Sequence, residues 1–125
     1  MRTDQNGPNS DNDSRYKIIN CPNEHYGVTL TTVNFAAGVD SGSAVILGNA
    51  SSGSITVTLP LAADQPGDVF FIKKIDANQA VVNVTASGDD TIDGAATQVL
   101  GTRYQVIQVV SDGETTWHIV GGYSP

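Results

Sequence analysis

From Tyr16 onward, short runs of β-branched residues alternate between apolar and polar, and this alternation limits the fold more than any other feature. In residues 54–59 (SITVTL), isoleucine, valine and leucine share one face while serine and threonine share the other. A two-residue repeat is the pattern of a half-buried strand, and no window of useful length shows the helical repeat. Turn-forming residues separate the runs. The sequence therefore predicts an all-β fold, either an antiparallel β-sandwich or a small barrel-like domain.

The predicted strands fall within one domain, residues 16–125, which is long enough to bury a core. They cover residues 16–21, 27–35, 43–48, 54–60, 68–75, 80–86, 97–100, 103–110 and 116–120. No repeat of fixed period is found in the chain, so we expect neither a solenoid nor a propeller.

Residues 1–15 are predicted to form an extended polar arm in front of this domain. Residues 1–14 contain no apolar side chain beyond Met1, so the arm cannot bury surface by itself and needs a neighbouring chain to hold it. Basic residues in and beside the arm suit docking onto an acidic protein surface, and a solvated tail is the alternative. The residues expected to contact a capsid or another subunit are Arg2, Asp4, Asn6, Arg15, Tyr16 and Lys17.

Charge and composition exclude several classes of function. The net charge is −7 and no basic run offsets it, so we expect no nucleic-acid partner. No segment has the length of a membrane span, and no apolar stretch of a signal peptide follows Met1. The single cysteine, Cys21, excludes an intrachain disulfide and a zinc cluster. No phosphate-binding or dinucleotide-binding motif is present, and we expect no cofactor.

Few side chains are suited to catalysis. His118 lies within a predicted strand whose alternation places it with Val120 and opposite Trp117, which is typical of a packing or surface residue. Cys21 and His25 are close in sequence, but no signature of a thiol–imidazole pair accompanies them. We therefore predict that the protein is not an enzyme.

The run GDDTIDGA, residues 88–95, raises the question of a cation site. Its alternating oxygen side chains match the first half of an EF-hand calcium loop, yet the twelfth position is Leu100 instead of glutamate. The flanking segments are predicted strands and not helices. An apolar residue between polar ones, Ile92, indicates a turn that returns one side chain to the core. The sequence therefore favours a structural turn without metal.

Several turns and strand ends in residues 55–120 form a recognisable set. The set consists of Leu59, Pro60, Pro66, Gly67, Lys73, Ile92, Asp93, Gly94, Ser111, Asp112, Gly113 and Trp117. This set resembles a module of tailed-bacteriophage virion proteins that is found in capsid decoration (cement) proteins, tail fibres and spikes. The resemblance implies a scaffold and a setting on the virion, and it supplies no active site.

Two functions are compatible with this resemblance. A short β domain with an arm suits a capsid decoration protein, which implies the major capsid protein as partner, a location on the outer surface of the shell and a homotrimer. Such a protein stabilises the shell by binding the expanded lattice in preference to other states. The alternative is a fibre- or spike-associated adhesion module that binds host surface glycan, for which Tyr26, Tyr104 and Tyr123 are candidate stacking residues.

Overall fold

The computed structural model describes residues 27–37 and 43–125, and this part of the chain consists of strands and turns with one 3-10 turn. The strands are β1 (Gly27–Thr31), β2 (Phe35–Ala36), β3 (Ser43–Gly48), β4 (Ile55–Thr58), β5 (Val69–Lys74), β6 (Val82–Thr85), β7 (Thr91–Ile92), β8 (Thr97–Leu100), β9 (Val106–Ser111) and β10 (Thr116–Tyr123). The all-β prediction is confirmed. The predicted strand 16–21 lies outside the described residues. Within them, no helix has the length and hydropathy needed to cross a membrane.

The strands form two sheets. The six-stranded sheet has the order β1-β3-β5-β9-β10-β7, and the four-stranded sheet has the order β2-β4-β6-β8. From β1 to β6, successive strands alternate between the two sheets, and each pairs in parallel with the strand two places earlier. The chain thus winds as a short coil through both sheets. The last two strands, β9 and β10, then extend the six-stranded sheet as an antiparallel hairpin beside β5.

This winding corrects two expectations drawn from the sequence. The antiparallel arrangement is wrong for five of the eight strand pairings, which are parallel. Turns such as residues 49–54 reverse the chain as predicted, but they deliver it to the other sheet instead of back to the same one. A solenoid-like coil was not expected because the sequence has no repeat of fixed period. The register of the strand pairs explains why this period is missing. Val28 pairs with Val45 and Val45 pairs with Phe71, so the second step of the coil takes up much more of the chain than the first.

Both sheets contribute to one hydrophobic core. Its members include Ile46 and Ile72 from the six-stranded sheet and Val57 and Val84 from the four-stranded sheet, all with no exposed surface. Trp117 is fully buried, and its Nε1 donates a hydrogen bond of 3.1 Å to the Pro60 carbonyl oxygen. That bond satisfies the only polar group of the indole, so the ring fills the core without an unpaired donor.

The turns predicted from proline and glycine are confirmed where the structure tests them. β4 ends two residues before Pro60. Gly67 has φ of 76°, and the Asp68 amide donates to the Gln65 carbonyl at 3.0 Å, as in a type II turn with proline at its second position. The residues after Ser111 join β9 to β10 as the predicted hairpin.

Candidate interaction surface

The outer face of the six-stranded sheet, which points away from the core, is apolar over most of its width. In β3 the outward residues Val45 and Leu47 flank the buried Ile46, so the strand is apolar on both sides. In-register pairing aligns these residues in rows across the sheet. We define the outer apolar face by Val28, Leu30, Val45, Leu47, Val69, Phe71, Val106, Val110 and Tyr123; the same rows also contain three polar residues, Lys73, Gln108 and His118.

The most exposed part of this face lies on the edge strand. Val28 and Leu30 of β1 are 65% and 64% exposed. No described strand of either sheet contains an aspartate or a glutamate, so the carboxylates of the described chain lie in its turns and loops. Strands that are apolar on both sides belong to sheets that are covered on both sides. The outer apolar face therefore has the character of a contact surface.

The four-stranded sheet provides the contrast within the same molecule. Its outward residues on the two central strands are polar: Thr56 and Thr58 on β4 and Asn83 and Thr85 on β6, while the residues between them are buried. On the two edge strands, Ala36 and Val99 are outward apolar residues. Thr85 Oγ1 also lies 3.1 Å from Thr97 Oγ1 on the neighbouring β8. This sheet has one apolar and one polar face, as expected for a sheet exposed to water on one side. The residue pattern thus suits solvent exposure in one sheet and not in the other.

A group of basic and aromatic side chains lies at the margin of the outer apolar face. Lys73 Nζ is 5.3 Å and Arg103 Cζ 4.7 Å from the ring centroid of Tyr104. Tyr104 has φ of 71°, and its amide donates to the Lys74 carbonyl oxygen at 2.6 Å. Arg103 Nε donates to the Ile75 carbonyl at 3.2 Å. We call Lys73, Arg103 and Tyr104 the cationic cluster.

The cationic cluster has no acidic partner in the part of the chain that the structure describes. The ion pairs there involve Lys74 and His118, and neither Lys73 nor Arg103 lies within 4.0 Å of a carboxylate oxygen of these residues. The backbone contacts of Arg103 and Tyr104 nevertheless fix the turn in place. The turn holds Arg103 and Tyr104 in position beside Lys73 of β5 before any partner arrives, which lowers the entropic cost of binding.

Most of the described carboxylates lie at the opposite end of the strands. Lys73 is near the end of β5 and Arg103 precedes β9, whereas Asp68 precedes β5 and Asp112 follows β9. Hydrogen bonds join the loops at this second end, including Ser111 amide to Asp68 carbonyl and Thr91 amide to Thr115 carbonyl. We call this the acidic end. Its carboxylate residues are Asp64, Asp68, Asp89, Asp90, Asp93, Asp112 and Glu114.

The remaining described lysine, Lys74, has a structural role. Its side chain is fully buried, and Nζ donates to Asp76 Oδ2 at 2.7 Å, to the Asp76 carbonyl at 3.1 Å and to the Asn78 carbonyl at 3.0 Å. Burial alone raises the pKa of Asp76, but the bond from Lys74 and those from the Ala50 and Asn78 amides outweigh it and lower the pKa. All three donors of the ammonium group are used, so it has no proton to offer a substrate.

The 88–95 segment contains a turn that returns Ile92 to the core, as predicted. Ile92 is fully buried beside Trp117, its neighbour in the parallel β7–β10 pair. The buried Asp90 accepts a hydrogen bond of 2.8 Å from the Ala62 amide, which joins this turn to the 3-10 turn. Asp93 adopts φ of 51° and Gly94 φ of 88°, so the backbone here is in the left-handed region. In the described residues, no group of three acidic, histidine or cysteine side chains is arranged to hold a metal ion.

His118 is exposed, and Trp117 beside it is buried, as the alternation in β10 predicts. Its Nδ1 is 3.8 Å from Asp93 Oδ1 and its Nε2 is 3.5 Å from Asp112 Oδ2. The amides of Glu114 and Thr116 donate to Asp112, and they lower its pKa, with a smaller contribution from His118. The imidazole thus links two turns at the acidic end. No nucleophile is among these partners.

Two surface depressions offer no catalytic chemistry either. One lies beside Val106 and Tyr123, and the other beside Val33 and Ser54. Neither is lined by a carboxylate, histidine, lysine or cysteine. The most distinctive surface of the described chain is therefore a flat apolar face and not a cleft.

The residues predicted from the sequence to make contacts lie elsewhere in the chain. Arg2, Asp4, Asn6, Arg15, Tyr16 and Lys17 are all outside the described residues, as are Cys21 and His25. Sequence reasoning missed the outer apolar face, although a signal for it exists. The unbroken apolar runs VIL (45–47) and VFFI (69–72) differ from the alternating runs ITVT and VNVT of the four-stranded sheet. An unbroken run indicates a strand that is covered on both sides.

No family model matches the chain, and no curated protein is significantly similar to it in sequence.

Proposed function

We propose that this chain is a structural subunit of a bacteriophage virion, a capsid decoration protein that binds the outer surface of the head shell and stabilises it. The observation that carries the proposal of a structural subunit is the outer apolar face, on which Val28 and Leu30 are 65% and 64% exposed. A flat apolar surface with a basic margin is suited to binding another protein and not to turning over a small substrate. The resemblance of residues 55–120 to virion modules supplies the setting.

The residues that carry this resemblance have scaffold roles. Pro66 and Gly67 form a tight turn, Ile92 and Trp117 fill the core, and Asp112 caps the β9–β10 hairpin through hydrogen bonds to the Glu114 and Thr116 amides. A module whose shared residues build the scaffold leaves its surfaces free to differ between virion locations. We assign binding to the shell to the arm, residues 1–15, with the neighbouring Tyr16 and Lys17, because its polar and basic residues suit docking onto an acidic protein surface.

The first test is a count of copies. The amount of this chain relative to the major capsid protein, quantified in purified particles, should be comparable if the chain covers the shell lattice. A small fraction of that amount would place it at the tail or at one vertex, and this would contradict the decoration role.

The second test removes the arm. Deleting residues 2–14 should abolish binding to expanded shells while the fluorescence of the buried Trp117 and the urea midpoint of the β domain stay unchanged. A scrambled arm of the same composition is the matched control for charge and length. Undiminished binding by the deletion variant would refute the assignment to the arm.

Glycan adhesion is the second candidate, and two exposed tyrosines favour it. Tyr104 and Tyr123 are 45% and 61% exposed, and aromatic rings of this kind stack on sugars. However, Lys73 and Arg103 already lie over the ring of Tyr104, so a sugar would compete with these two cations for the ring. Binding of the purified protein to host surface glycans, lost in Tyr123→Ala, would favour adhesion over decoration.

A further inference from the structure

We propose that the outer apolar face is covered by another copy of this same chain, with the cationic cluster of one copy against carboxylates of the acidic end of its neighbour. The proposal concerns the purified chain. It identifies the surface through which two copies of the chain would pair, and it does not depend on binding to a shell.

The exposure and the area of the outer apolar face support its burial against a second copy. Val45, Leu47 and Phe71 are only half-buried in the isolated chain, and the neighbouring Val28 and Leu30 are mostly exposed. Five strands of the sheet, β1, β3, β5, β9 and β10, contribute five to eight residues each. With strands about 4.8 Å apart and about 3.3 Å per residue, the face covers roughly 500 Å². Two such faces in contact bury about 1,000 Å², which is the lower limit of a specific interface.

The charges of the cationic cluster and of the acidic end are complementary. The described part of the chain contains two lysines and one arginine, and Lys74 is neutralised inside the core by Asp76. The two remaining cations of that part, Lys73 and Arg103, converge on Tyr104 at the margin of the apolar face. An acidic surface is therefore the complementary partner for this margin, and a copy of the chain offers one at its acidic end. Charge at the rim of an apolar contact fixes the orientation of the partner more than it adds affinity.

The turn that carries Arg103 and Tyr104 is preorganised by hydrogen bonds. The Gln105 Oε1 accepts hydrogen bonds from the Gly101 and Thr102 amides at 2.9 and 3.2 Å, which closes the turn that carries Arg103 and Tyr104. Tyr104 is held in the left-handed region, where a non-glycine residue costs conformational energy. A strained residue that presents an aromatic ring beside two cations is consistent with a binding role for the turn.

The test is the mass of the full chain in solution, measured by sedimentation equilibrium over roughly 1 to 200 µM. We expect an oligomer for the natural sequence. Phe71→Asp places a carboxylate at the centre of the face and should weaken association at least about tenfold. Leu30→Asp, at an already exposed position, should weaken it too without threatening the fold. Thr58→Asp, on the polar outer side of the four-stranded sheet, is the matched control and should leave the mass unchanged.

The charge contact has its own test. Arg103→Glu should weaken association, and raising the salt concentration should weaken the natural chain more than this variant. Trp117 fluorescence and the urea midpoint confirm folding of each variant.

A monomer over the whole concentration range, or a mass unchanged in both Phe71→Asp and Leu30→Asp, would overturn the proposed face. Association that is insensitive to salt and to Arg103→Glu would overturn the pairing of the cationic cluster with the acidic end. A dimer that is lost in Phe71→Asp supports the proposal, and a trimer would overturn the contact between two outer apolar faces.

Discussion

Replacement of Lys74 by methionine is the most informative perturbation of the described domain. Methionine has a similar length and is apolar, so Lys74→Met keeps the packing volume and removes the charge. The change leaves the buried Asp76 carboxylate without its cation and two carbonyl oxygens without the donors that now lie at 3.1 and 3.0 Å. Removal of one partner of a buried ion pair costs about 3–5 kcal/mol. We expect Lys74→Met to reduce the free energy of unfolding by that amount.

The assay is urea unfolding followed by fluorescence of Trp117, the single tryptophan, which is fully buried when the chain is folded. All variants are compared at a protein concentration low enough for the natural chain to be monomeric, because self-association adds a concentration-dependent contribution to stability and Lys73 belongs to the cationic cluster. Lys73→Met is the matched control. It changes the same residue type one position away, on the outer side of the same strand, where loss of a partly exposed charge should cost less than about 1 kcal/mol.

Equal losses for Lys74→Met and Lys73→Met, both under about 1 kcal/mol, would refute the assignment of a structural ion pair to Lys74. A double variant sharpens the result. In Lys74→Met with Asp76→Asn, no charge is left unpaired, so the combined loss should be smaller than the sum of the two single losses. Additive losses would show that the two side chains do not stabilise each other.

Three further predictions test other parts of the structure. The pKa values of Asp76 and Asp112 are lowered in the folded chain. Their contribution to stability is therefore complete above the ordinary value of 3.8 and is lost as the pH falls through the lowered folded-state values. The urea midpoint should drop on acidification, and Asp112→Asn should flatten part of that drop. Gly48→Ala should cost about 1–3 kcal/mol in urea unfolding, because an added Cβ would lie 2.9 Å from Val82 Cγ2 in the core, and a neutral effect would contradict the close packing there. Gly67→Ala should cost about 1 kcal/mol through its φ of 76° alone, since no atom lies within 4 Å of the added carbon, and an unchanged thermal midpoint would contradict a left-handed conformation at this position.

Local chemistry in the sequence was sufficient for most strands and turns, but residues 27–35, predicted as one strand, contain β1 and the start of β2 in different sheets, and β7 was not predicted. The alternation of residues 54–59 and the Pro66-Gly67 pair each report on a few neighbouring residues, and the structure agrees with both. The burial of Ile92 followed from one apolar residue in a polar turn. These features depend on interactions between close neighbours in the chain, and such interactions can be inferred from spacing and residue type.

The assignment of strands to sheets could not be inferred in the same way. A turn such as residues 49–54 has the same composition whether it returns the chain to one sheet or carries it to the other. The unequal connections from Val28 to Val45 and from Val45 to Phe71 hide the coil from any search for a fixed period. The cationic cluster joins Lys73 to a turn much further along the chain, and only the β5–β9 pairing brings them together. Contacts at such sequence separations depend on topology.

The order of strands in the six-stranded sheet has a consequence for folding during synthesis. The coil from β1 to β6 can form as the chain emerges, because each strand pairs with one already made. By contrast, β7 has its strand neighbour in β10, which is made after β8 and β9, and Trp117 arrives with that strand. Until β10 leaves the ribosome, Ile92 lacks the neighbour that covers it, and the core stays open on that side. A nascent chain stalled short of β10 should therefore be sensitive to protease.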